Sequence, residues 1–180
     1  MRSFVWLLVM LATNASGAAQ VGTKEAVAKT PKIETTYDSN RDKTTVRMNR
    51  MKISGDKDRY QSIHLAPAYS FRGQVPQTPE IVDFEVQTVV KARKLKVDLY
   101  VLFVIDGEKI FLSSNRWAVK KPVPGRAWVG ERLVFRMPCE TLIKLANAKQ
   151  ASIRMDGIDF ELRDDHLRAL RAFAETLNKG

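Results

Sequence analysis

The densest chemistry in the chain lies between Arg116 and Arg132. Arg116, Lys120, Lys121, Arg126 and Arg132 fall there, together with Trp117 and Trp128. Cations set beside flat indole rings suit anions, sugars or a protein partner, because one group supplies charge and the other a large apolar face. Pro122, Pro124, Gly125 and Gly130 interrupt the stretch, so it reads mostly as loop, and loops on a rigid scaffold often carry binding. The structural alternative is that both tryptophans cover an edge of the fold while Lys and Arg stems snorkel past them. The candidate binding residues are Arg116, Trp117, Lys120, Lys121, Arg126 and Trp128.

No other cluster points to catalysis or to a cofactor, and no catalytic or metal-binding residue is assigned. Asp38-Ser39-Asn40-Arg41-Asp42 starts like a calcium loop, with oxygens at alternate positions. An EF-hand then needs Gly sixth and Glu twelfth; Lys43 and Asn49 stand there. A turn capped by Asp side chains accounts for the same residues. His64 falls on a strand-like stretch and His166 follows Asp164 and Asp165. Adjacent helix positions point to different sides, whereas zinc needs three or four converging ligands, so the Asp-Asp-His string reads as a helix start with an exposed His. Cys139 follows Pro138 at a helix start, where a thiol pKa falls, yet a lone cysteine is more often a small buried hydrophobe. P-loop, Rossmann and nucleophile-elbow motifs are missing.

The elements that must position these residues follow from patterning. Arg2 precedes an apolar run from Phe4 to Ala12, and Thr13 to Ala19 are small or polar. That succession describes a secretory leader, with cleavage after Ala19 or Gly17. Residues 1–19 are therefore read as signal peptide, 20–32 as a flexible tether and 33–180 as a single domain. Nothing after the leader is apolar for long enough to span a bilayer. The formal charge is +10. It favours an anionic envelope component or an acidic protein as partner, or serves solubility alone; nucleic acid fits an exported chain less well.

Within the domain, period-two alternation dominates. Glu34 to Tyr37 and Thr44 to Ile53 read as strands, the second with a bulge or bend where the phase slips between Met48 and Met51. Ile63 to Phe71 contains Pro67 and is placed at a sheet edge. In Ile81 to Val90, Val82, Phe84, Val86 and Val90 form one face and Asp83, Glu85 and Gln87 the other. Val97 to Ile105 is apolar on both faces and reads as a central strand. Asp106-Gly107 and Asp156-Gly157 predict two-residue hairpins, since type I′ turns need positive φ at both central positions. The first pairs Phe103 with Ile110 and Val101 with Leu112; the second pairs Met155 with Ile158 and Ile153 with Phe160. Arg132 to Met137 is a further strand. Two helices are expected, near 138–148 with Pro138 in the first turn, and near 164–178 with Asp164 or Asp165 as cap.

The fold class is therefore mainly β: an antiparallel β-sandwich of about eight strands with two helices. Thr36-Tyr37-Asp38, Asp42-Lys43-Thr44-Thr45-Val46, Val104-Ile105-Asp106-Gly107-Glu108 and the Pro138 helix before a terminal hairpin resemble a recurrent type of small exported bacterial protein. The resemblance implies a β-sandwich with a C-terminal helix, and it brings no chemistry. The expected function is a non-catalytic binding or interaction module of the cell envelope, periplasmic or secreted. The alternative is a hydrolase whose site is assembled from residues distant in sequence.

Overall fold

The structure is a computed structural model and describes residues 31–53, 60–91, 100–116, 121–122, 128–155 and 157–177. The elements in chain order are β1 (Ile33–Asp38), β2 (Lys43–Met48), β3 (Met51–Ile53), β4 (Tyr60–Arg72), β5 (Ile81–Lys91), β6 (Tyr100–Ile105), β7 (Glu108–Arg116), β8 (Lys121–Pro122), β9 (Trp128–Pro138), α1 (Cys139–Ala146), β10 (Ala151–Met155), β11 (Ile158–Leu162) and α2 (Asp164–Ala174). All pairings are antiparallel.

The strands form two sheets. In the first, β1, β2, β4, β5 and β9 lie side by side, with β3 continuing β2 along β4 and β8 flanking β9. The second runs β7, β6, β10, β11. Strand β7 belongs to both. Its residues 108–113 pair with β6, then Ser114 and Arg116 pair with Phe135 and Val134 of β9 across a register shift. Neither sheet closes into a barrel.

Turn chemistry fixes the register of the second sheet. Asp106 and Gly107 have φ of 47° and 88°, as a type I′ turn requires. Phe103 then stands opposite Ile110 and Val101 opposite Leu112. Beyond the second hairpin, Met155 pairs with Ile158 and Ile153 with Phe160. Strand β6 has β7 on one side and β10 on the other, so it is interior to its sheet; residues 97–99 of the expected strand, like Asp156, lie outside the described residues.

One hydrophobic core takes side chains from both sheets and both helices. Phe84 of the first sheet meets Phe103 of the second edge to face, centroids 5.4 Å apart, the arrangement aromatic quadrupoles favour. Helix α2 lays Leu167, Leu170, Phe173 and Ala174 into this core, and Phe173 meets Tyr69 of β4 at 5.8 Å. The Tyr69 hydroxyl donates to the Thr176 carbonyl at 2.9 Å and the Thr78 hydroxyl to that of Leu177 at 3.1 Å. Arg171 Nε donates to the Ala146 carbonyl at 2.8 Å, satisfying the open end of α1.

Several expectations need correction. Strand β4 is interior, not an edge: it pairs with β2 and β3 on one side and β5 on the other. Pro67 is tolerated because the ladder on the β2 side is interrupted opposite it. Arg47 pairs with Ala68 and Met51 with Leu65, so the chain bends between β2 and β3 where the phase slip predicts. The stretch after residue 113 is less loop than expected, since Arg116, Lys121 and Trp128 all stand on strands; with β2 and β3 separate, there are more strand segments than eight. Helix α1 ends at Ala146 with Pro138 as its N-cap, outside the first turn. Helix α2 ends at Ala174, and its N-cap is Arg163, not an aspartate.

Candidate functional site

The outward face of the first sheet is built by alternation. In β2, Thr44, Val46 and Met48 are buried while Arg47 points out. Met51 and Ile53 flank an exposed Lys52. Along β9, Leu133, Phe135 and Met137 are buried, and Arg132 and Arg136 are exposed. Register then aligns these positions in rows. One row reads Arg47, Ala68, Asp83, Arg136 across β2, β4, β5 and β9. A second reads Lys52, His64, Gln87, Arg132 across β3, β4, β5 and β9. Three strand spacings separate the ends of each row, roughly 14 Å at ~4.8 Å each.

Seven cations of the described residues are committed to carboxylates. Lys32 pairs with Glu34, Arg41 with Asp38, Arg72 with Asp42, Lys144 with Glu108, Arg154 with Asp159 and Arg163 with Asp165. Arg132 pairs with Glu85 at 2.5 Å. Among the described residues no carboxylate forms an ion pair with Arg47, Arg50, Lys52 or Arg136. These four lie on or beside one face, and Asp83 is its exposed carboxylate.

Two side chains, His64 within the second row and Glu85 between the rows, report the local field. His64 is half-buried; burial, then Lys52 and Arg50, hold its pKa below 6.5, so it is neutral near pH 7 beneath a positive fringe. Glu85 is only 6% exposed, which corrects its placement among the solvent-facing positions of β5. Its carboxylate takes the Arg132 guanidinium and also accepts from the Gln87 amide. A carboxylate at that depth needs such partners.

The sequence-predicted binding residues are brought partly together. Arg116 ends β7 opposite Val134, and Lys121 opens β8 opposite Gly130. Both sit on the β9 edge remote from β5, and Trp128 starts β9 itself, opposite Lys91. Trp117, Lys120 and Arg126 lie outside the described residues. The strands thus place Arg116, Lys121 and Trp128 alongside the cationic rows. Arg47, Arg50, Lys52 and Arg136 were not singled out in the sequence, although their outward positions in alternating strands carry the signal.

The other chemical candidates separate. Cys139 follows Pro138, which pairs with Ile81, whereas His64 pairs with Gln87. Six residues along β5 amount to roughly 20 Å at ~3.3 Å each, too far for a thiol–imidazole pair. Cys139 is buried, and that burial raises its pKa away from the reactive thiolate. His166 is 2% exposed, contrary to the exposed position expected for it. Its Nδ1 accepts the Arg163 backbone N–H at 3.2 Å, closing a capping box at the start of α2. Asp38 accepts the N–H groups of Asn40 and Arg41 at 3.0 and 3.3 Å, and Asp42 takes the Tyr37 hydroxyl at 3.0 Å and Arg72 Nε at 3.1 Å. Those carboxylates close a turn. Among the described residues no group of three or more His, Cys, Asp or Glu side chains is placed to hold a metal ion. No helix among them is long and apolar enough to cross a membrane.

No protein family model, curated protein or solved structure matches this chain. Its function must be argued from its own surface.

Proposed function

We propose that this chain is an exported, non-catalytic binding module of the cell envelope, a β-sandwich whose outward cationic face docks onto an anionic envelope component. The face comprises Arg47, Arg50, Lys52 and Arg136, with Arg116, Lys121 and Trp128 on the strands beside it; Trp117, Lys120 and Arg126, outside the described residues, join the reading by sequence alone. The carrying observation is the concentration on or beside one sheet face of four exposed cations, Arg47, Arg50, Lys52 and Arg136, that form no ion pair with a carboxylate among the described residues. Unpaired exposed charges keep their field available to a ligand, and rows about 14 Å long suit an extended anionic surface better than a single small anion. The edge-to-face contact of Phe84 with Phe103 supports packing of the two sheets against each other. The leader-like start of the sequence supports export, and mass spectrometry of exported protein should find a mature terminus near Gln20.

The test is co-sedimentation with anionic vesicles at low and high salt. Each charge near such a surface contributes about 1 kcal/mol. Lys52→Glu with Arg47→Glu, and separately Lys120→Glu with Lys121→Glu, should each weaken binding by about 2–4 kcal/mol. High salt should weaken the wild type, because exposed charges are screened beyond ~8–10 Å. Equal recovery of wild type and both double variants at both salts rejects the reading.

A further inference from the structure

The second sheet has an outward face of different character. Phe111 of β7 is 66% exposed and Tyr100 of β6 is 58% exposed. Tyr100 pairs with Ser113 and Leu102 with Phe111, so the two rings are diagonal neighbours on one face. The same face continues through Val104 to Ser152 and Glu161, which align across β6, β10 and β11. There it enters an open groove of about 590 Å³ whose lining includes Val104, Lys149, Gln150, Ser152, Glu161 and Asp164. From Tyr100 to Val104 is roughly 13 Å at ~3.3 Å per residue. One wall of the groove is fixed in advance. Asp106 Oδ1 accepts the backbone N–H groups of Lys149 and Gln150, each at 2.9 Å, and the Asp106 N–H donates to the Gln150 carbonyl at 2.9 Å.

Charge decides what this surface fits. Lys109, Lys149 and Arg154 are balanced by Asp159, Glu161 and Asp164, in a chain of net charge +10. Arg154 is spent on a bidentate pair with Asp159 at 2.7 and 2.6 Å. A balanced face offers a polyanion no net attraction. It complements an uncharged ligand with flat C–H faces for the two rings and hydroxyls for the groove's mixed donors and acceptors. We propose that the Tyr100–Phe111 strip and the adjoining groove form a binding site for a neutral oligosaccharide. The rings supply apolar stacking area, and Ser152, Gln150, Glu161 and Lys149 supply the hydrogen bonds that orient the sugar. The site is independent of the cationic face.

Calorimetric titration of the protein with neutral β-linked hexasaccharides of glucose and of N-acetylglucosamine tests the site. At least one should bind, with an affinity that changes little between low and high salt. Phe111→Ala and Tyr100→Ala should each weaken it by about tenfold, and both positions are exposed enough to leave folding intact. Gln150→Ala, whose backbone contacts to Asp106 remain, should weaken it as well. Failure of every oligosaccharide to bind overturns the proposal, as does binding that the three variants leave unchanged. Self-association in sedimentation that Phe111→Ala abolishes also overturns it, by giving the face to a second copy of the chain.

Discussion

Thr88 shows how a single side chain can stand against its surroundings. It lies on the core side of β5, is 2% exposed, and its hydroxyl has no hydrogen-bond partner among the described residues. An unpaired buried hydroxyl carries a desolvation penalty of about 1–3 kcal/mol. Thr88→Val keeps the shape and removes the polar atom. It should stabilise the fold by about 1 kcal/mol, read as a rise of about 3 °C in melting temperature. Glu85 illustrates the opposite case, a buried polar group with its partners present. Arg132→Met leaves that carboxylate buried and opposed only by Gln87. Because Arg132 itself is 46% exposed, the loss should fall below the range for fully buried pairs, at about 2 kcal/mol in denaturant unfolding. Glu85→Met in the Arg132→Met background should recover most of it. An unchanged unfolding midpoint for Arg132→Met alone would show that the pair holds nothing.

At the scale of elements, the start of α2 is a proton-sensitive clasp. His166 accepts the Arg163 backbone N–H at Nδ1, and its Nε2 lies 3.3 Å from Arg163 Nη2. Burial lowers its pKa, Asp165 and the Lys52 carbonyl oppose that, Arg163 adds to it, and the net direction is below 6.5. The folded state therefore binds a proton less readily than the unfolded chain. The stability this contributes is complete above 6.5 and is lost as pH falls through the folded-state pKa. Melting temperature should decline on acidification from neutrality, and His166→Gln should flatten that decline; a profile unaltered by the substitution would exclude His166 as the cause. Strand β6 makes a different demand. Phe103 is wholly buried between neighbours on both sides. Phe103→Asp should abolish cooperative unfolding, since an unpaired buried carboxylate costs several kcal/mol against a net stability of ~5–15.

For the whole molecule, the two sheets turn outward faces of unlike chemistry to their surroundings, and their tests separate them. Charge reversal at Arg47 and Lys52 acts on exposed side chains that form no ion pair with a carboxylate among the described residues. It should move the melting temperature by no more than about 0.5 kcal/mol of stability allows, while vesicle binding and its salt dependence fall. A large stability loss would mean that these cations hold the sheet together. The core is indifferent to such changes, because it draws on both sheets and both helices and no single exposed charge reaches it.

What was legible in the sequence was local. Alternation marks strands because side chains point to opposite faces by geometry, and Asp-Gly sets both hairpin registers because few other residues accept positive φ twice. Val101, Phe103, Ile153 and Phe160 could therefore be paired without a structure. What only tertiary structure decided was partnership across the chain. Pro67 reads as an edge signal, yet β4 is interior, with a break in the β2–β3 ladder opposite Pro67. Glu85 reads as solvent-facing, yet it lies buried under an arginine that is 47 residues away in the chain. Arg47, Lys52 and Arg136 are unremarkable one at a time. They become a surface only because β2, β3 and β9 are aligned through β4 and β5, and that alignment depends on pairings between residues far apart in sequence, which no local preference encodes.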